Sequence, residues 1–414
     1  MPAVSSTLTC IGIDWADKEH VFHLIPSTGR AQAGRFCHEP DVIHDTVESW
    51  KREFPDTTIA IAIEQSRGPL INALLTHEGL EIYPINPASL ASYRKAFAHG
   101  GGKNDPTDAM LLARYVQHYR DTLRPLKPAD PLTRELASLC EDRRDLVDQR
   151  ADLANQLRAV LKLYFPVILK LNAAQMYADF LLKFLSKFPT LEAAQKAGAT
   201  RLRKYFFGIG TPGKAEERIE LLLNASPLTS DEVLIRCSRR RVLALVDILK
   251  SLNESIDQYD EEIHRLVRQH ADYPIVASLP GAADVTHCRI IAALGDDRNR
   301  YASAESLQAA TGIAPLTHQS GKQKTVTCRW AASKFLKQTF HEFAGLSITR
   351  STWAAAYYQQ QINAGKKPQM ARRALAYKWL RIIYRCWKDR VPYNEEKYIQ
   401  RLKDTGSPLA KLIS

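Results

Sequence analysis

In the stretch HGGGKNDPTDAMLLARY, from His99 to Tyr115, two carboxylates stand three residues apart, at Asp105 and Asp108. That spacing puts both on one helical turn. A Walker-type phosphate loop would need a glycine five residues before the Gly-Lys pair and a Ser or Thr after it. Phe97 and Asn104 occupy those places, so that chemistry is excluded. A helix start is well supported. Asp105 suits an N-cap, Pro106 suits the first helical position, and Asp108 falls where a carboxylate reaches back to free backbone amides. The remaining chemistry is metal binding, which requires the fold to bring other acidic residues to this turn. Asp14 and Glu64, each at the end of a β-branched run, are the partners to consider. Singly, each of the four has a plain explanation, as turn former, charged strand end or cap. Jointly, their placement at one sheet edge favours a site.

The elements that would position them lie in the first hundred or so residues. TLTCIGIDW, HVFHLI and AQAGRFCHEP read as three strands of an antiparallel meander. DVIHDTVESWKREF has helical spacing, TTIAIAIEQS is a strand ending at Glu64, PLINALLTHEG is a helix closed by Gly79, and LEIYPINP is another strand. This β-β-β-α-β-α-β-α order is that of ribonuclease H-like (RuvC-like) folds. In such a sheet the strands ending at Asp14 and Glu64 are neighbours, and ligands collect beyond the carboxyl ends of parallel strands. Four carboxylates there repel one another unless divalent cations neutralise them. Mg²⁺ suits hard oxygen ligands and keeps open positions for phosphate. Two such ions polarise a phosphodiester and stabilise both the attacking and the leaving oxygen.

Composition narrows the partner. The chain has 414 residues, 57 Lys and Arg against 45 Asp and Glu, and a net charge of +12. A surplus of that size favours a polyanion. No apolar run approaches the roughly 20 residues of a membrane span and no stretch resembles a signal peptide, so nucleic acid is preferred over a membrane surface. Seven scattered cysteines, none in a C-x-x-C pair, argue against a disulfide framework and a zinc site, and fit a reducing cytoplasm.

GIDWADKEHVFHL, IAIEQSRGPL and KNDPTDAMLLARY resemble the DEDD segments of the IS110 family of transposases, whose RuvC-like domain carries that carboxylate set. The resemblance implies that Asp14, Glu64, Asp105 and Asp108 are the metal-binding and catalytic quartet. Further on, SLPGAADVTHCRIIAALGD is similar to the family's P-G-x-G helix-hairpin-helix, with Ala283 in place of the second glycine. A plain helical hairpin is the safer reading there. AATGIAPLTHQSGKQKTVTCRWAASKFLKQ looks like the G-L-x-P, S-G and S-K segments of the family, which puts Ser320 on its nucleophilic serine. Relatives usually carry a glycine where this chain reads FLKQ. Without the resemblance, Q-S-G in a polar loop reads as a turn. A serine hydroxyl needs activation, and the metals of the acidic site, from the same chain or a partner, are a more economical activator than His318.

Three regions are expected: a RuvC-like DEDD domain over 1–128, a coiled-coil and helical insert region over 129–270, and a C-terminal transposase domain over 271–414, mostly helical. Heptad seams run through Leu139, Arg143, Leu146, Arg150, Leu153 and Leu157, and again through Leu245, Leu249, Leu252, Ile256 and Ile263. The two helices pair within one chain or between chains, with the seam arginines setting register; a dimer or tetramer is implied by the family. Near the C-terminus, KKPQMARRALAYKWLRIIYRCWKDR is a basic helix whose aromatic residues read as core. Candidate nucleic-acid contacts are Lys322, Lys324, Arg329, Lys334, Arg372, Arg373, Lys378, Arg381 and Arg385. The favoured function is a site-specific DNA recombinase that forms a phosphoserine link and is guided by an element-encoded non-coding RNA, in a bacterial or archaeal cytoplasm, nucleoid-associated. A water-using metal nuclease or Holliday junction resolvase is one alternative, and a non-catalytic nucleic-acid-binding scaffold is the other.

Overall fold

The computed structural model describes residues 7–97, 105–171, 175–320, 323–327, 329 and 332–413. The glycine run before Asp105, and Lys322, lie outside the described residues. The chain divides into two compact units, Met1–Pro128 and Ala129–Ser414.

The first unit is built on a five-stranded sheet of β1 (Thr7–Asp14), β2 (Glu19–Ile25), β3 (Gln32–Cys37), β4 (Thr57–Ile63) and β5 (Leu80–Pro84). Its order is β3-β2-β1-β4-β5. β1 pairs antiparallel with β2 and parallel with β4, and β4 pairs parallel with β5. α1 (Pro40–Glu53) and α2 (Pro69–Leu74) cover one face, packing Ile43, Val47, Trp50, Leu70 and Leu74 on Ile11, Ile13, Ile61 and Ile63. α3 (Pro87–Phe97) and α4 (Asp105–Tyr119) cover the other, packing Leu90, Leu111, Leu112 and Val116 on Cys10, Ala60 and Ala62. This mixed sheet with helices on both faces is the ribonuclease H-like arrangement the strand order predicts.

Three local readings change. The helix at 69 ends at Leu74, because Thr76 and His77 donate to Ala73 and Leu74 in tightening turns, and Gly79 instead takes the left-handed turn into β5 at φ +84°. α4 begins at Asp105 itself, one residue earlier than an Asp105 cap implies. α3, absent from the sequence reading, opens on Pro87, a residue suited to a first helical turn.

Among its described residues, the second unit has helices and one hairpin. α5 (Pro131–Tyr164) is followed by α6 (Ile168–Leu171), α7 (Asp179–Lys187), α8 (Leu191–Gly208) and α9 (Ala215–Leu223), then by α10 (Glu232–Val267). α11 (Tyr273–Ala277), α12 (Asp284–Leu294) and α13 (Ala304–Ala310) lead into β6 (Leu316–Ser320) and β7 (Gln323–Thr327). α14 (Lys334–Ser347), α15 (Thr352–Asn363), α16 (Pro368–Asp389) and α17 (Glu395–Asp404) complete it. α5 and α10 pair within the chain. Arg143 bonds Asp260 and Arg150 bonds Asn253, so an advance of seven on one helix matches a retreat of seven on the other, which is antiparallel packing. Arg150 also lies over the Tyr177 ring, 4.1 Å from its centroid. The seam arginines are thus accommodated by polar partners across the interface. Both long helices enter two cores: one with α7 to α9, around Leu157, Phe184, Phe206 and Leu249, the other with α12 to α16, around Leu136, Ile263, Phe343, Trp353 and Trp379.

Candidate acidic site and serine hairpin

β1 and β4 are in parallel register, with Gly12 opposite Ala62 and Ile13 opposite Ile63. Asp14 and Glu64 each lie one residue past that last pair, at the carboxyl edge of adjacent strands. Side chains alternate along a strand, so Asp14 shares the face of Cys10 and Gly12, and Glu64 continues the face of Ala60 and Ala62. That is the α4 face, and its residues are small for a reason. A methyl group on Gly12 would fall 2.0 Å from the Ala109 carbonyl oxygen and 2.4 Å from the Ala113 nitrogen. α4 therefore rests directly on the β1 backbone at Gly12, two residues before Asp14, and Asp108 immediately precedes the Ala109 that makes this contact. Asp14 is half-buried, Glu64 and Asp105 are exposed, and Asp108 is buried.

Asp108 is not left as a bare charge. Arg94 of α3 donates from Nη2 to its Oδ1 at 2.5 Å. The Arg94 Nε is buried with no partner, so the guanidinium is committed to this carboxylate by one arm. Sequence reasoning missed Arg94 because α3 itself went unread. Among the described residues, no three of the quartet carboxylates bring oxygens within 4.8 Å of one another. The donor set is oxygen throughout, and next to Glu64 the buried Gln65 Oε1 has no hydrogen-bond partner. Such a set fits a hard divalent cation.

The turn that follows Asp14 has its own support. His20 Nδ1 accepts from the Ala16 amide at 3.4 Å, and its Nε2 stands 2.8 Å from His38 Nδ1. Both ring nitrogens are thus used by the neutral form, with the proton on Nε2. Burial, and then the neighbouring His38, lower its pKa to about 4.

In the second unit Ser320 ends β6 and pairs with Gln323, the last pair before the turn. The loop reading becomes a two-stranded hairpin with Ser320 beside its tip. The hairpin is anchored at its base. Gly312 takes φ +69°, where a side chain would meet the Ala332 Cβ at 2.4 Å, and Arg373 of α16 donates to the Gly312 and Ile313 carbonyls at 3.1 and 3.0 Å. Arg373 thus holds the base of the hairpin. The Lys378 ammonium lies 4.7 Å from the Tyr357 ring centroid, and its pKa is lowered by burial and by Arg381. Lys324 lies on β7 opposite Gln319, and Lys334 begins α14. The Arg329 and Arg372 Nε atoms are buried without partners, while Arg381 and Arg385 are exposed, Arg385 being paired with Asp389. Trp379 and Trp387 are fully buried core, as their helical spacing predicts, whereas Tyr384 is half-buried and Tyr377 is exposed, contrary to a core reading of every ring on this helix.

The hairpin of α11 and α12 does not offer a helix start to an anion. Asp284 occupies the first turn of α12, and its carboxylate takes Arg268 at 3.2 Å and His287 at 3.3 Å.

Residues 11–166 match the transposase family model of the DEDD IS110 type, and residues 273–359 match the model of the IS116/IS110/IS902 transposase family. The chain belongs to the IS110 family of transposases. It is 28% identical over 407 residues to a protein of Streptomyces coelicolor named as the candidate transposase of the IS117 mini-circle, covering 95% of this chain and 97% of that one. It is 25% identical to the uncharacterized 42 kDa protein of insertion element IS900 from Mycobacterium paratuberculosis, over 82% of this chain and 84% of the relative. The IS110 protein of S. coelicolor, itself uncharacterized, is 23% identical over 70% of this chain and 72% of its own. This IS110-family transposase is accordingly an enzyme of insertion-element movement with DNA as its partner. No helix among its described residues is long and apolar enough to cross a membrane.

Proposed function

We propose that this transposase is a serine-dependent recombinase in which Asp14, Glu64, Asp105 and Asp108 hold divalent cations, Mg²⁺ first among them, and Ser320 is the nucleophile. The observation that supports the acidic half is the seating of α4 on Gly12, two residues before Asp14, with Asp108 next to the contact at Ala109 and with β1 and β4 ending side by side. Cations bound there would polarise the phosphodiester and offset charge on the oxygens that attack and leave. Arg94 holds and orients the Asp108 carboxylate by hydrogen bond, and His20 holds the Ala16 amide so that the turn after Asp14 keeps its shape.

In the serine step the Ser320 oxygen forms a bond to phosphorus as its proton is removed by a base. The bond to the leaving sugar oxygen breaks, and that oxygen takes up a proton. The phosphoserine link keeps the phosphoester energy for rejoining, when a DNA hydroxyl attacks and returns the serine. Arg373 contributes by fixing the Gly312–Ile313 base of the hairpin. A non-coding RNA of the element would guide the choice of DNA, and the +12 net charge leaves room for such a second polyanion.

The test is a denaturing gel of labelled element-end DNA incubated with protein, Mg²⁺ and the element's transcript. A covalent protein–DNA adduct that Ser320→Ala abolishes and Asp14→Asn suppresses, with binding intact in both, is expected. Cutting without an adduct would make the protein a water-using nuclease or resolvase, and a shifted band with neither would make it a scaffold. Omitting the transcript reads the guide separately.

A further inference from the structure

α1 and the turn after α2 bring together three side chains that the transposase chemistry does not use. His44 and Glu48 stand one helical turn apart on α1 and so face the same way. His77 comes from the turn between α2 and β5. Its ring stacks on that of His44 with centroids 5.1 Å apart, and its Nδ1 lies 3.3 Å from Glu48 Oε1. One ligand atom from each of the three lies within 4.8 Å of the other two, and no other such group occurs among the described residues. The cluster is remote from the quartet along the strands. α2 leaves the edge that carries Glu64, and His77 lies three residues before Leu80, which opens β5 opposite Ile59 near the other end of β4.

We infer that His44, Glu48 and His77 form a site for a zinc-class divalent ion that ties α1 to the turn between α2 and β5. Two imidazoles and one carboxylate, with a fourth position open to water, are a familiar zinc ligand set. Imidazole also selects a borderline transition ion over Mg²⁺. With zinc–ligand bonds near 2.0–2.1 Å, tetrahedral ligand atoms lie about 3.4 Å apart. Glu48 and His77 already have that separation, so closing the set requires only a small swing of His44. The burial suits this order: the His77 side chain is 8% exposed and held in place, while His44 is exposed and able to move. The resident competitor is Lys51, whose Nζ lies 3.0 Å from the same Glu48 oxygen and would be displaced outward. Lys51 chiefly, with help from His77, holds the Glu48 carboxyl below its ordinary range, so the ligand is already ionised.

The experiment strips the full-length protein with chelator, fills the acidic quartet with millimolar Mg²⁺, and titrates with Co²⁺, read by its visible absorption, before displacement by Zn²⁺. One equivalent with the intense bands of low-coordinate Co²⁺ is expected in the wild type and equally in Asp14→Asn. His44→Ala and Glu48→Gln should weaken it more than about 100-fold, beyond what losing a supporting hydrogen bond costs a metal site. Zn²⁺ should raise the Tm of the wild type and not that of His44→Ala. Because His44 is exposed, that variant keeps its circular dichroism spectrum. The inference is overturned if His44→Ala and Glu48→Gln bind Co²⁺ as the wild type does, if the bands never appear, or if Asp14→Asn alone removes them.

Discussion

Arg94 meets Asp108 where the carboxylate is only 5% exposed, so the pair is a buried charge compensated by one arginine. Removing one partner of such a pair typically costs about 3–5 kcal/mol, because the other charge stays behind. Arg94→Met should therefore destabilise the first unit by about 3 kcal/mol in chemical denaturation, and added Mg²⁺ should recover more stability in the variant than in the wild type. Equal Mg²⁺ effects in both would show that Asp108 does not share a cation site. His20 gives a pH dependence. Its folded pKa of about 4 lies below the ordinary 6.5, so the unfolded chain binds more protons between those values. The stabilisation is complete above pH 6.5 and is lost as pH falls towards 4, up to about 3 kcal/mol for a shift of this size. Protonation of Nδ1 would also break the Ala16 bond beside Asp14. Thermal melts from pH 7 to 4 should slope downward, and His20→Asn should flatten them. At this scale the sequence was readable for where the four carboxylates fall along the chain, because strand ends and a D-P-x-D helix start are local signals. It was silent on Arg94 and His20, whose roles depend on a helix and a strand neighbour set by tertiary packing.

The element on which the proposed acidic site depends is α4, and what admits it is the missing side chain at Gly12. Gly12→Ala would push the Ala109 carbonyl and the Ala113 amide, both backbone atoms inside a helix, so neither can yield locally. Overpacking of this kind costs about 1–3 kcal/mol. The greater effect should be on catalysis, since lifting α4 carries Asp105 and Asp108 away from the edge. Gly12→Ala is expected to keep DNA binding and lose strand cleavage by more than its loss of folded protein explains; cleavage that merely tracks folded fraction would refute the close seating as a functional feature. The long helices show the complementary case. Their heptads and the two arginines were legible from spacing, yet whether they met each other or a second chain was not. That answer lies in Asp260 and Asn253, ordinary surface types in sequence that become partners only once α10 turns back along α5. His44 and Glu48 are similar: their one-turn spacing is visible in the sequence, and the third ligand, His77, is brought in only by the early end of α2.

Across the second unit the charge surplus is not spread evenly. A cavity of about 970 Å³ lies between α16, α17 and the start of α13, with Lys378, Arg381 and Arg385 on one wall and Lys397 and Arg401 on the other. Glu305 and Asp389 are the acidic residues lining it. The cations are not equivalent. Lys378 is spent on the Tyr357 and Trp353 rings, and Arg385 is paired with Asp389, whereas Arg381, Lys397 and Arg401 are exposed on the rim. A phosphate backbone laid along this groove would release one counterion for each phosphate neutralised, lowering the slope of log K against log salt by about 0.7–0.9 per contact. Arg381→Ala and Arg401→Ala should each make that slope shallower by about that amount, in fluorescence anisotropy with DNA or the element's transcript between about 50 and 200 mM salt. Arg385→Ala should change it little. Lys378→Met should lower Tm or leave it unchanged without altering the slope, because its charge already sits against aromatic faces. If all four variants shift the slope alike, the polyanion senses the net charge of the unit rather than this groove, and the distinction drawn between rim and interior cations fails.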